Sequence, residues 1–266
     1  MFIPRNLFVS LVLVSGSCTA LADTTLNREQ INQQDRELLQ KAGIELLDGE
    51  VRIRSAAELL TNTKDEYYKS QIEKYLSMRA EQKQNGFVKN PEPRAKELMD
   101  FAKSAHYQYQ KYANNFSPKS THLRHEISEL NMAYTFVGVP VSEMNTNIGV
   151  APFGAYKQTR YGDESDGWDG AVQFFEKNGL GTCEFKEHNL KLAHGGVELV
   201  KELVSDDVAG KPTVLLVKGT NESGYLYRVS WYDTTFARDL SCAAPKYSPA
   251  TQRQVIELAK KIEAAQ

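Results

Sequence analysis

The sequence predicts an α+β fold: a helical N-terminal part followed by a small antiparallel-sheet C-terminal part with flanking helices and one disulfide. Three observations predict it. Residues 27–131 carry helical periodicity broken by capping signals. Residues 213–233 hold two β-rich runs around a turn cluster. Cys183 and Cys242 remain as an even pair once an N-terminal leader is removed.

The leader comes first in the chain. Arg5 precedes an apolar stretch from Leu7 to Val14 and a run of small residues, the three-part layout of a secretory signal. Ala20-Leu21-Ala22 supplies the small-x-small cleavage site, so residues 1–22 are expected to be a signal peptide and Asp23 the mature start. The apolar stretch is too short to span a bilayer, which takes about 20 residues. A minor alternative makes Cys18, after Ser15-Gly16-Ser17, the lipid-modified first residue of a lipoprotein. Removing Arg5 from 32 basic residues leaves 31 against 34 acidic ones, a net charge of −3. That balance gives no electrostatic footprint for nucleic acid. No later stretch is apolar enough for a transmembrane segment.

Residues 23–131 read as a helical domain. A first helix is expected from the Asn27/Gln30 capping box to Gly43. Ile44–Leu47 and Glu50–Ile53 flank Asp48-Gly49, which favours a tight hairpin. Ser55/Glu58 and Thr63/Glu66 make two further boxes. The second opens a long helix to about Gln84 with Tyr68, Ile72, Tyr75, Leu76 and Arg79 on one face. Asn85-Gly86 breaks it, and a new helix restarts after Pro93, its stripe running through Leu98, Phe101, Ala102, Ala105, Tyr109, Tyr112 and Phe116. A short connection between two such helices suggests an antiparallel pair. Ser117-Pro118 starts another helix with Leu123, Ile127, Leu130 and Tyr134 as its stripe.

Residues 132–266 read as an α+β domain. Short helices are expected over Gly167–Lys177 and Val197–Val204, with an extended piece over Cys183–Leu192. Thr213–Lys218 and Tyr225–Asp233, joined by a turn-rich segment, predict an antiparallel hairpin, covered by a last helix from Ser248-Pro249 through Val255, Leu258, Ala259 and Ile262. A cysteine pair in an oxidising compartment is usually bonded, so Cys183 and Cys242 are expected to form a disulfide tying the extended piece to the hairpin.

On a helix, His122, His125 and Glu129 share one face and offer a metal-binding set, but Glu129 stands where the zinc-peptidase pattern needs histidine. The acidic loop Gly162–Gly170 lacks the alternating spacing of a calcium loop; Asp166 and Asp169 instead suit the start of a helix at Gly167. Ser165 sits in a pattern one residue too long for a nucleophile elbow. His188 and His194 flank the extended piece and read as surface or turn residues. No phosphate-binding loop or dinucleotide fingerprint occurs, so no cofactor is implied. Along Tyr225–Tyr232, alternation sends Tyr225, Tyr227, Val229 and Trp231 to one face and Leu226, Arg228, Ser230 and Tyr232 to the other. The first set suits the core. The second has the Arg and Tyr composition of an interface.

Together these features lead to the expectation of an exported, non-enzymatic binding or interaction protein of the periplasm or extracellular medium, contacting a protein or glycan through Leu226, Arg228 and Tyr232. A metal-dependent hydrolase using the His/Glu helix face is the alternative.

Overall fold

The computed structural model describes residues 49–112, 120–157 and 166–266. The expected signal peptide, Cys18, the Asn27–Gly43 helix, the Ile44–Leu47 arm, the helix start at Ser117-Pro118 and Ser165 lie outside the described residues. Among the described residues there are nine strands: β1 Val51–Arg54, β2 Thr146–Lys157, β3 Gly167–Lys177, β4 Gly181–Asn189, β5 Val197–Val200, β6 Asp206–Val208, β7 Lys211–Thr220, β8 Gly224–Tyr232 and β9 Phe236–Ala244. Five helices accompany them: α1 Ala56–Asn62, α2 Glu66–Asn85, α3 Pro93–Tyr112, α4 Leu190–Ala193 and α5 Pro249–Glu263. Seven strands form one antiparallel sheet in the order β2-β3-β4-β9-β8-β7-β6, and β1 pairs in parallel with β5.

This architecture corrects the expected α+β balance of a helical part followed by a small sheet. Most of the described chain is a large antiparallel sheet. Gly167–Lys177, expected as a helix, is β3, paired on both sides. Its residues are buried from Trp168 to Phe175, so no alternation of polar and apolar side chains marks it. A strand buried on both faces cannot be told from a helix by periodicity. Val197–Val200 is likewise a strand, β5, which pairs in parallel with β1. Residues 120–134 hold one 3₁₀ turn, Ile127–Glu129, in place of the expected helix. They run along the sheet margin, where Arg124 and Val150 exchange backbone hydrogen bonds of 2.6 and 2.8 Å. Leu123 is still buried there, and Ile127, Leu130 and Tyr134 still pack on the core.

Local signals fared better. Ser55 caps α1, its hydroxyl accepting from Glu58 N at 3.2 Å. Asp65 rather than Thr63 caps α2, its carboxylate accepting from the amides of Tyr67 and Tyr68. Gly86, at φ +85°, ends that helix in the left-handed conformation glycine adopts readily. The β7–β8 hairpin forms as expected, from Thr213↔Trp231 to Thr220↔Gly224. Ser248 caps α5, which buries Val255, Leu258, Ala259 and Ile262. The two long helices, however, take different seats: α2 lies against α1 and β7, and α3 lies across β2, β4, β8 and β9.

Alternation gives the sheet two unlike faces. One carries Phe185, Tyr227, Val229, Trp231 and Leu240, all at most 0% exposed, under α5. Cys183 and Cys242 sit in its middle, directly opposite each other on β4 and β9 and joined by a disulfide. The bond therefore pins two central neighbours rather than the margin of a hairpin. On the second face, α3 covers Val172, Phe174, Leu226 and Ala243, while Tyr232 and Val214 lie with Leu190, Val197 and Leu199 near β1 and β5.

The outer edge of β7 is closed without a full-length partner strand. β6 covers only its first residues. Beyond them Ser205 pairs with Thr213 and Leu215, Gln82 of α2 donates to Leu215 O at 3.1 Å and accepts from Val217 N at 2.9 Å, and Val88 bonds Val217 and Gly219. An unpaired edge would be a template for strand addition. Here the backbone groups along it are satisfied.

Candidate functional site

The alternation expected for β8 is correct, since Leu226, Arg228 and Tyr232 share a face, but that face is largely covered, with Leu226 and Arg228 only partly exposed. Leu226 packs under α3, and Tyr232 is 6% exposed. Between them runs a strip of polar side chains. The Arg228 guanidinium meets the Asp239 carboxylate, which also accepts from Ser230 Oγ at 2.7 Å and Ser241 Oγ at 3.0 Å. Beside it, Glu184 receives Arg94 from the start of α3 and Lys186 at 3.0 Å. Burial alone would raise the Glu184 carboxyl, but Lys186 and Arg94 outweigh it and hold the group at about 2. Each acid here is spent on a cation of the protein's own, so the strip fixes α3 to the sheet.

His122, His125 and Glu129 do not share a helix face. Glu129 Oε2 accepts from the amides of His125 at 2.8 Å and Glu126 at 3.0 Å, closing the 3₁₀ turn. His122 N donates to Ser120 Oγ. Among the described residues, no group of three or more His, Cys, Asp or Glu side chains is placed to hold a metal ion. Asp169, expected in a helical first turn, lies in β3, 1% exposed, with Oδ1 accepting from Ala155 N at 2.8 Å and His188 Nε2 3.3 Å away. Gly154, at φ +83°, permits this approach: a Cβ there would lie 2.0 Å from the carboxylate oxygen. His194 ends α4 in the left-handed conformation at φ +51°.

A groove lies along the first turns of α3. Pro91 and Pro93 stiffen the entry to the helix. Glu92 ties that entry to the β7–β8 turn, its amide donating to Ser223 Oγ at 3.1 Å and its carboxylate meeting Lys218 at 3.1 Å. Between turn and helix runs a groove of about 630 Å³, within the size range of small-ligand sites. Phe101 forms its apolar platform, stacked by one side on Phe174 with centroids 4.0 Å apart. Arg94, Asp100, Ser104 and Ser223 supply polar groups around it. A smaller cleft of about 380 Å³ beside α5 is bordered by Glu143, which Lys177 and Lys261 already neutralise.

The groove was not anticipated from sequence. Its trace there is the Pro91-Glu92-Pro93 punctuation just ahead of the Phe101 stripe, which marked a helix start and nothing more. Among the described residues, no helix is long and apolar enough to cross a membrane. No protein-family profile matches the chain, no curated protein matches its sequence, and no solved structure matches its fold.

Proposed function

We propose that the chain is an exported, non-enzymatic binding protein whose α3 groove takes a glycan. The observation that carries this reading is the groove itself, an aromatic platform at Phe101 ringed by Lys96, the carboxylates of Glu97 and Asp100 and the hydroxyls of Ser104 and Ser223, with Arg94 held beside it by Glu97 and Glu184. A sugar ring presents a C–H face that packs on an aromatic ring and an equator of hydroxyls that both donate and accept. Asp100 and Ser104 are exposed at the groove rim, where they meet that equator. Export is supported by the signal-like residues 1–22 and by the Cys183–Cys242 disulfide, a bond that persists in oxidising compartments.

The test is binding of the chain from Asp23 onward to an immobilised glycan panel, alongside Asp100→Ala/Ser104→Ala. Both positions are exposed, so the variant keeps its fold. Losing hydrogen bonds to a charged partner should weaken binding about tenfold or more. Retention of no glycan, or equal retention by the variant, contradicts the proposal. Fractionation that leaves the chain in the cytoplasm contradicts the export half.

A further inference from the structure

At the sheet end beneath the C-terminus of α5, charged side chains gather around the buried pair Arg238 and Glu187, with Lys211, Asp233 and Glu263 partly exposed at the margin. Arg238 of β9 is 4% exposed and sends Nε to Glu187 of β4 at 2.6 Å and Nη1 to Asp233 at 2.9 Å and Glu263 at 3.3 Å. Lys211 of β7 meets Asp233 at 2.9 Å and also meets Glu263. Trp231 Nε1 donates to Glu263 Oε2 at 2.7 Å, and the Tyr134 hydroxyl donates to the Glu187 backbone carbonyl at 3.2 Å. Three carboxylates thus share two cations, and Glu187 is 1% exposed. Glu263 is the last residue of α5, so the cluster fastens that helix to β4, β7, β8 and β9.

We propose that this cluster is an acid-responsive latch on α5: it takes up one proton in mild acid, which balances its charge and tightens the seat of the helix, and it opens when a second carboxyl is protonated. Burying unbalanced charge is costly, so the burial of Arg238 and Glu187 favours the state with two carboxylates and two cations. The individual groups agree. Burial pushes the Glu187 carboxyl above its ordinary range, Arg238 opposes this, and Glu263 and Asp233 add to the rise. Burial also acts to raise Asp233, but Lys211 and the amides of Thr235 and Phe236 outweigh it and hold the group at about 2. Tyr134 is raised, chiefly by burial and then by Glu187 and Asp169, and stays neutral through the acid range. Alternation along β4 turns His188, which pairs with Asp169, to the other face.

The two carboxyls act in opposite directions. Protonation of Glu187 gives stability that is complete below its ordinary value of 4.5 and is lost as pH rises through its raised folded value. Ionisation of Asp233 gives stability that is complete above 3.8 and is lost as pH falls towards 2. Between 3.8 and 4.5 both contributions are present. The latch is tightest there.

The experiment is an NMR pH titration of the mature chain with ¹³C-labelled glutamate, following the Trp231 indole N–H, assigned with Trp168→Phe, and the amide protection of Val255–Ile262. One glutamate carboxyl should titrate above 4.5, the indole resonance should move with it, and protection should rise about tenfold for each pH unit separating the folded and ordinary values. Glu187→Gln should remove that titration and leave protection independent of pH between 7 and 4.5. If this variant does not fold, the wild-type titration decides by itself. Absence of a glutamate titrating above 4.5 overturns the proposal, and so does a titration that the indole and the helix do not follow.

Discussion

Gln82 is the most exacting position on which to test how the sheet edge is closed. Replacing it by methionine keeps the length and helix propensity of the side chain but removes both hydrogen bonds to β7, leaving Leu215 C=O and Val217 N–H without the amide that now meets them. Gln82 is 5% exposed, so water does not readily replace it. Each unsatisfied buried group costs roughly 1–3 kcal/mol, so the two together cost about 2–6 kcal/mol. The added apolar burial of methionine offsets part of this, about 1 kcal/mol. Urea unfolding should therefore show a lower midpoint at unchanged m-value, and the Val217 amide should exchange with solvent faster than its neighbours on β7. Gln84→Met, on the exposed side of the same helix, should change stability by under about 0.5 kcal/mol. Equal effects at the two positions would refute the reasoning, because they would mean that the β7 edge is hydrated already.

The remaining predictions concern the disulfide and the polar strip. Cys183→Ala/Cys242→Ala should lower stability by roughly 2–5 kcal/mol, and thiol labelling of unreduced, denatured protein should find no reactive cysteine at either position; two reactive thiols would remove the bond from the account. Glu184, held at about 2 by Lys186 and Arg94 against burial, contributes stability that is complete above its ordinary value of 4.5 and is lost as pH falls towards 2. Glu184→Gln should flatten the thermal melting temperature across that interval, and an unchanged acid limb would contradict the role given to the strip. Gly154→Ala should destabilise the β2–β3 pair by roughly 1–3 kcal/mol, because φ is +83° and the new Cβ would collide with Asp169 Oδ1; Asp169→Ala in the same chain should recover part of that loss in thermal melting, and no recovery would show that the backbone conformation alone sets it.

What was legible in the sequence was local. Ser55, Gly86 and Ser248 sit at helix ends whose capping depends on a few neighbouring residues. The β7–β8 hairpin needs only its own turn and alternation, and the two cysteines needed only each other. The Thr63 cap failed by a small margin, because Asp65 two residues later offers a carboxylate to the same turn. The rest depends on partners far away in the chain. β1 pairs with the distant β5, and β3 is buried on both sides, so the sequence of each looks like a segment of unspecified type. The Leu226, Arg228 and Tyr232 face was read correctly as a face. That α3 covers Leu226, and that Asp239 stands ready for Arg228, could not be read there, because both follow from the packing of distant segments. The His122, His125 and Glu129 set relied on helical spacing that residues 120–134 never adopt.

The central claim is that the α3 groove is the ligand surface, and NMR chemical-shift mapping with the glycan retained from the panel tests it most directly. Binding should perturb the amides of Lys96, Asp100, Phe101, Ser104 and Ser223 and leave the 3₁₀ turn at Ile127–Glu129 and the cleft beside α5 unchanged. Perturbations confined to those other places, with the groove silent, would contradict the account.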